Sequence, residues 1–192
     1  MRAIGTTLLA LSALIGASAA LAHEPRAVAG GGYQISVGFR NEPAFEDQVN
    51  AVDVFVRRSD GTGLVGPDDV VDLQVEVQLR EIDAFDATVL DAAELARPRL
   101  AFGTTDRYNT SFKPTADGAY AFRVRGRIHD VTAGAEPFAI DETFVCGGGT
   151  QDARARSFGC VEDPQAFPSS HLEQKTGRDF SGYHDDDRHS ID

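Results

Sequence analysis

Tryptophan is absent from the 192-residue chain, methionine occurs once, cysteine twice, and lysine only as Lys113 and Lys175. Cations number 18 against 30 Asp and Glu, a formal charge of −12. A phosphate backbone is held by clustered cations, so nucleic acid is not an expected partner, and an anionic membrane surface is repelled in the same way. Beyond Ala22 no run is apolar enough to cross a bilayer, which takes about 20 residues, so no membrane span is expected. The spacing of Cys146 and Cys160 excludes a CxxC redox or zinc motif. There is no GxSxG elbow to carry hydrolase chemistry. What remains is 42% apolar residues with 19 Gly and 8 Pro, a composition suited to one globular domain rich in turns rather than to a collagen or a coiled coil.

Residues 1–22 read as a secretory signal peptide. Arg2 supplies the positive start, Ala3 to Ile15 the apolar stretch, and Gly16 to Ala22 the small residues a signal peptidase needs. Ala20-Leu21-Ala22 is a small-x-small site whose cleavage leaves His23 first; Ala17-Ser18-Ala19 competes and leaves Ala20 first. Export, to the periplasm or beyond the cell, gives the cysteines a role. Thiols in an oxidising compartment pair, and a Cys146–Cys160 bridge closes a loop worth about 3 kcal/mol.

From Tyr33 the hydrophobic period is two. Tyr33, Ile35, Val37 and Phe39 alternate with polar or small residues, as do Val52, Val54 and Val56, and then Val71 to Leu79. The theme returns at Tyr108 to Phe112, Tyr120 to Val124 and Phe138 to Phe144, with Gly- and Asp-rich turns between. Asp83 to Arg99 reads as an edge strand plus irregular loop, closed by Pro98. Pro114-Thr115-Ala116-Asp117-Gly118-Ala119-Tyr120 resembles the tyrosine corner of immunoglobulin-like sandwiches, in which the phenol bonds backbone a few residues upstream. The expected fold is therefore all-β: an immunoglobulin-like β-sandwich of seven or eight strands over residues 31–146. A disulfide-bridged appendage follows over 147–168. Residues 169–192 form a disordered acidic and His-bearing tail, too polar to order itself.

Little of this points to catalysis. Gly30-Gly31-Gly32 precedes a strand and offers no helix N-terminus to a phosphate. Asp141 and Glu142 are adjacent on a strand, so they face opposite sides and do not form an acid–base couple. Arg123, Arg125 and Arg127 share one strand face and either pair across strands with acids such as Asp72 and Glu76 or form an anion-binding stripe. His171 and His184-Asp185-Asp186-Asp187-Arg188-His189 lie in the tail without preorganisation. His23 is the sharp candidate, because a terminal histidine pairs its free amine with Nδ1, a set that suits square-planar Cu(II). His129 is a further imidazole, with Glu24 and Asp130 as weaker ligands. In an immunoglobulin-like sandwich the first strand starts where strand F ends, so a first strand at Tyr33–Arg40 and a strand F at Tyr120–His129 bring His23 and His129 to one rim.

Ala22-His23-Glu24, the run Gly32-Tyr33-Gln34-Ile35-Ser36-Val37-Gly38-Phe39-Arg40-Asn41-Glu42-Pro43-Ala44, and Asn50-Ala51-Val52-Asp53 resemble a group of exported bacterial and archaeal proteins. Pro114 to Gly126, Asp141-Glu142-Thr143-Phe144 and Val161-Glu162-Asp163-Pro164 extend the resemblance. The group has the cast of periplasmic copper-handling sandwiches of the CopC and YtkA type. That resemblance implies Cu(II) bound through an amino-terminal histidine, here His23, with further His and Asp ligands. Many of these relatives carry a C-terminal membrane helix where this chain ends in its acidic tail. The expectation is an exported, non-catalytic protein that binds copper. The alternative is an accessory or adhesion module that presents its loops to an envelope protein without metal.

Overall fold

Alternating β-branched residues bury one face of each strand, and the computed structural model shows where those faces go; it describes residues 23–64, 69–148 and 157–164. The expected signal peptide and the tail at 169–192 lie outside the described residues, as does part of 147–168. Among the described residues eleven strands follow in order: β1 (Glu24–Val28), β2 (Tyr33–Phe39), β3 (Ala44–Phe45), β4 (Asn50–Arg58), β5 (Val70–Arg80), β6 (Val89–Glu94), β7 (Arg99–Leu100), β8 (Arg107–Phe112), β9 (Ala119–His129), β10 (Phe138–Val145) and β11 (Val161–Glu162).

One antiparallel sheet has the order β1-β2-β4-β8-β7, a second β10-β9-β5-β6, and β11 pairs in parallel with β3. The all-β sandwich is as expected. Ile35, Val37, Phe39, Val52, Val54 and Val56 from the first sheet share one core with Leu73, Val75, Phe122, Val124, Ile128 and Phe144 from the second. Removing these side chains from water is the main stabilising term.

Two features differ from the sequence reading. First, a strand precedes Tyr33. Val28 is followed by a reversal in which Ala29, Gly30 and Gly31 all take left-handed φ, conformations that glycine accepts without cost. Thus β1 folds back along β2, with Glu24 opposite Val37 and Val28 opposite Tyr33. Second, the sandwich does not end at Cys146. Phe158 is 1% exposed and stacks on Phe122 with ring centroids 5.3 Å apart. Val161 is buried as well, and pairs with Ala44. The Cys146–Cys160 disulfide spans Cα atoms 4.9 Å apart and holds this segment to the end of β10, so what reads as an appendage contributes to the core.

Tyr120 donates its hydroxyl to the Ala116 carbonyl at 3.0 Å, the corner bond expected upstream of that residue. On the outer face of the second sheet two of the three arginines of β9 pair with acids, and Arg127 has no ion pair among the described residues. Arg123 grips Asp141 through two 2.7 Å bonds, and Arg125 reaches Glu94 at 2.6 Å and Glu76 at 3.7 Å. Asp141 and Glu142 do take opposite faces, since Glu142 accepts from Arg26 of β1 at 2.9 Å.

Candidate functional site

The hairpin β1–β2 decides where His23 lies. Continuing its register by one residue sets His23 opposite Gly38, and Gly38 pairs with Asp53 of β4. Glycine presents no side chain between them, so the imidazole reaches across the intervening strand. His23 Nε2 is 3.7 Å from Asp53 Oδ2, and the ring meets Phe55 edge-on at 5.0 Å. Both Asp53 and Phe55 belong to the outer face of the first sheet, where Arg107 of β8 sits opposite Phe55.

Asp53 is fully buried although it faces away from the core. Arg107 covers it, donating from Nε at 3.0 Å and again from Nη2 to the same Oδ2. Burial pushes the Asp53 carboxyl up, but the His23 imidazole and the Arg107 guanidinium outweigh burial and hold it below the usual carboxylate range. The group is incompletely bonded: His23 Nε2 and Asp53 Oδ1 are both buried without a hydrogen-bond partner, which normally costs free energy. Phe55 carries the guanidinium of Arg57 at 5.0 Å and that of Arg107 at 5.7 Å from its ring centre, so its face is occupied by cations and its edge by the imidazole. Glu42 borders the same region. Burial raises its carboxyl, against a hydrogen bond from the Gly159 amide and the pull of His23.

The other three ligand candidates do not join His23. Glu24 lies one residue along and so on the opposite face, where its Oε1 accepts from Arg26 at 2.6 Å. Asp130 follows β9 and gives both oxygens to Arg58, at 2.6 and 2.7 Å, with Tyr33 and the Ala133 amide as further donors. His129 pairs with Val70 at that same end. Because Val28, Tyr33 and Arg58 are register partners, Asp130 marks the Val28 end of β1. His23 stands beyond its Glu24 end, five residue steps away, roughly 16 Å at strand rise. The start of β2 and the end of β9 do share a rim, as the topology argument requires; β1 carries His23 off to the opposite one.

No group of three or more His, Cys, Asp and Glu converges as a metal site among the described residues. The side chains therefore do not fit a cage of His23, His129, Glu24 and Asp130. Of the four candidates only His23 stands beside Asp53, with Nε2 3.7 Å from Oδ2, close but not hydrogen-bonded. Asp53, Phe55 and Arg107 are the residues the sequence pattern passes over. Asp53 looks like any polar residue on a wet strand face, and the available signal is its place opposite a mid-strand glycine. Neither a protein-family model nor a curated protein matches the chain.

Proposed function

We propose that this is an exported, non-catalytic copper-binding protein in which cleavage after Ala22 frees His23. The α-amine and Nδ1 of His23 take Cu(II), and Asp53 is the acceptor that fixes the imidazole from Nε2. The observation that carries the reading is the His23–Asp53 approach at 3.7 Å, with a carboxylate already anchored by Arg107. A metal-bound imidazole with its other nitrogen aimed at a carboxylate is the usual outer arrangement of a histidine ligand. The amine and imidazole nitrogens suit Cu(II) among common divalent ions, and the positions they leave open remain for water or a donor from another molecule. The leader-like N-terminus and the Cys146–Cys160 bridge support export. The order β2-β4-β8-β7 over β10-β9-β5-β6 supports an immunoglobulin-like topology, with β1 as an additional edge strand.

The test is Cu(II) titration of the processed protein, its N-terminus at His23 established by mass. One equivalent is expected to bind with a nitrogen-rich paramagnetic spectrum. Asp53→Asn is expected to weaken binding by about tenfold and His129→Ala to leave it unchanged. A methionine placed before His23 abolishes binding on this reading, and undiminished uptake by that blocked protein sinks it.

A second reading, loop presentation to an envelope protein, draws on the β7–β8 turn. Phe102 is wholly exposed there and Leu100 is 49% exposed. It predicts a crosslinked partner that Phe102→Ser loses and that copper does not affect.

A further inference from the structure

Three of the four outer strands of the two main sheets have a guarded edge. β1 carries Pro25, β7 is two residues long, and the Thr143 carbonyl of β10 accepts from Arg26 at 3.0 Å. β6 is different. It ends the order β10-β9-β5-β6, all six of its residues are exposed, and Val89-Leu90-Asp91-Ala92-Ala93-Glu94 holds no proline and no cation of the kind that blunts an open edge.

The ladder shows which backbone groups are open. The Leu95 amide donates to the Val75 carbonyl at 2.9 Å, and bonded pairs alternate along an antiparallel ladder. Ala93 and Asp91 therefore direct their backbone groups at β5, while Ala92 and Glu94 turn theirs to the free side. There the Ala92 amide donates to the neighbouring Asp91 Oδ1 at 2.8 Å.

A cleft beside this edge is the second observation. Ala93 and Asp91 lie opposite Val77 and Leu79, so they face the first sheet, yet both are exposed. Between the sheets at this point is a space of about 170 Å³, floored by Val77, Leu79, Phe112 and Tyr120. Ala93 is too small to fill it, and β7 stops at Asn109 of β8, short of Phe112. The volume lies below that of small-molecule sites, about 300–1,000 Å³, and suits a single aliphatic side chain. Lys113 on the rim is matched by Asp47 at 2.8 Å, whereas Asp91 holds no cation among the described residues, so the mouth is negative.

We propose that β6 binds an extended peptide as a further antiparallel strand, with a branched aliphatic residue two positions before a lysine or arginine. Side chains directly opposite on paired strands share a face. The aliphatic residue opposite Ala93 thus enters the cleft, and the cation opposite Asp91 meets the carboxylate. Main-chain bonds from Ala92 and Glu94 supply affinity, and the cleft and Asp91 supply selectivity. A second copy of β6 is a poorer occupant, because it brings its own Asp91 and Glu94. The site is separate from His23, and nothing in it depends on copper.

The experiment titrates the ¹⁵N-labelled full chain with the capped hexapeptide Thr-Thr-Val-Thr-Lys-Thr at fixed ionic strength, followed by amide NMR. Saturating shifts are expected at Ala92, Glu94, Leu79 and Tyr120. A peptide with aspartate for lysine, or with proline for the threonine between valine and lysine, should bind at least tenfold more weakly. Ala93→Leu, at an exposed position, fills the cleft and should weaken binding at least tenfold, and Asp91→Asn severalfold, each with an otherwise unchanged spectrum. Equal binding of the proline peptide, equal binding by Ala93→Leu, or shifts at β6 that follow protein concentration without peptide each overturn the assignment.

Discussion

The Tyr33 hydroxyl donates to Asp130 Oδ2 at 3.2 Å, so the first residue of β2 is tied to the residue that follows β9 in the opposite sheet. Arg58 of β4 completes the lock from the same rim with its two-pronged grip on that carboxylate. The contact shows that Asp130 has an architectural task. Its oxygens, committed to Arg58, Tyr33 and the Ala133 amide, have no capacity left for a metal.

Replacing Asp130 with Asn should therefore cost stability, not ligand binding. The change leaves Arg58 only the looser pair with Asp69 at 3.6 Å, and breaking a buried pair on one side costs up to about 3 kcal/mol. The pH dependence has a definite sign. Arg58 chiefly, against burial and with help from Ala133 and Tyr33, holds the Asp130 carboxyl below its ordinary range. The stabilisation is thus complete above the unfolded value of about 3.9 and disappears as pH falls through the lower folded value. Urea denaturation at several pH values should show the gap between wild type and Asp130→Asn closing only below about pH 4. A constant gap down to the acid limit would mean the pair contributes nothing.

The long strands were legible because a buried face requires alternation, and Val52-Asp53-Val54-Phe55-Val56 and Val71 to Leu79 display it. β1 was not. Its inward positions are Glu24, Arg26 and Val28, and the first two satisfy each other through an ion pair, so the strand carries no apolar period. Pro25 disguises it further and is tolerated because β1 is an edge strand. The candidate site suffered from the same omission: His23 was legible as a chelating residue, but its neighbours depend on a hairpin that turns the chain back. Asp53 gave no local sign of burial, because what buries it is Arg107, 54 residues away.

Tyr120→Phe isolates the corner. The ring stays in the core and only the hydroxyl bond to Ala116 is lost, so the expected cost is about 1 kcal/mol. Equilibrium denaturation of the two proteins under identical salt measures it. An unchanged midpoint would show that water replaces the bond without loss.

Phe158 and the disulfide test whether the segment after Cys146 belongs to the sandwich. Phe158→Ala removes a ring that packs against Phe39 and Phe122, and a large-to-small change at such a site costs about 3–5 kcal/mol. Reducing the Cys146–Cys160 bridge should cost about 3 kcal/mol by releasing the loop it closes. The two effects should not add in full, since reduction frees the segment that carries the ring. Thermal melts of Phe158→Ala with and without reductant read this directly, and full additivity would show that Phe158 docks without help from the disulfide.

Gly126 is the most demanding backbone position. It pairs with Leu73 on one side and Ile140 on the other, in the middle of the second sheet, at φ +153°. A Cβ built there would stand 1.9 Å from the Asp72 carbonyl oxygen, far inside contact distance and against backbone, which cannot swing aside as a side chain would. Relief requires β5 and β9 to separate locally. Those two strands carry Leu73, Val75, Val124 and Ile128 into the core. Gly126→Ala should accordingly lose about 3 kcal/mol or more, whereas Gly103→Ala, at φ +76° in the exposed β7–β8 turn with open space around it, pays only the backbone strain of about 1 kcal/mol. Comparing the two midpoints separates steric exclusion from conformational preference, and equal losses would show that the sheet yields at Gly126 as readily as a loop does.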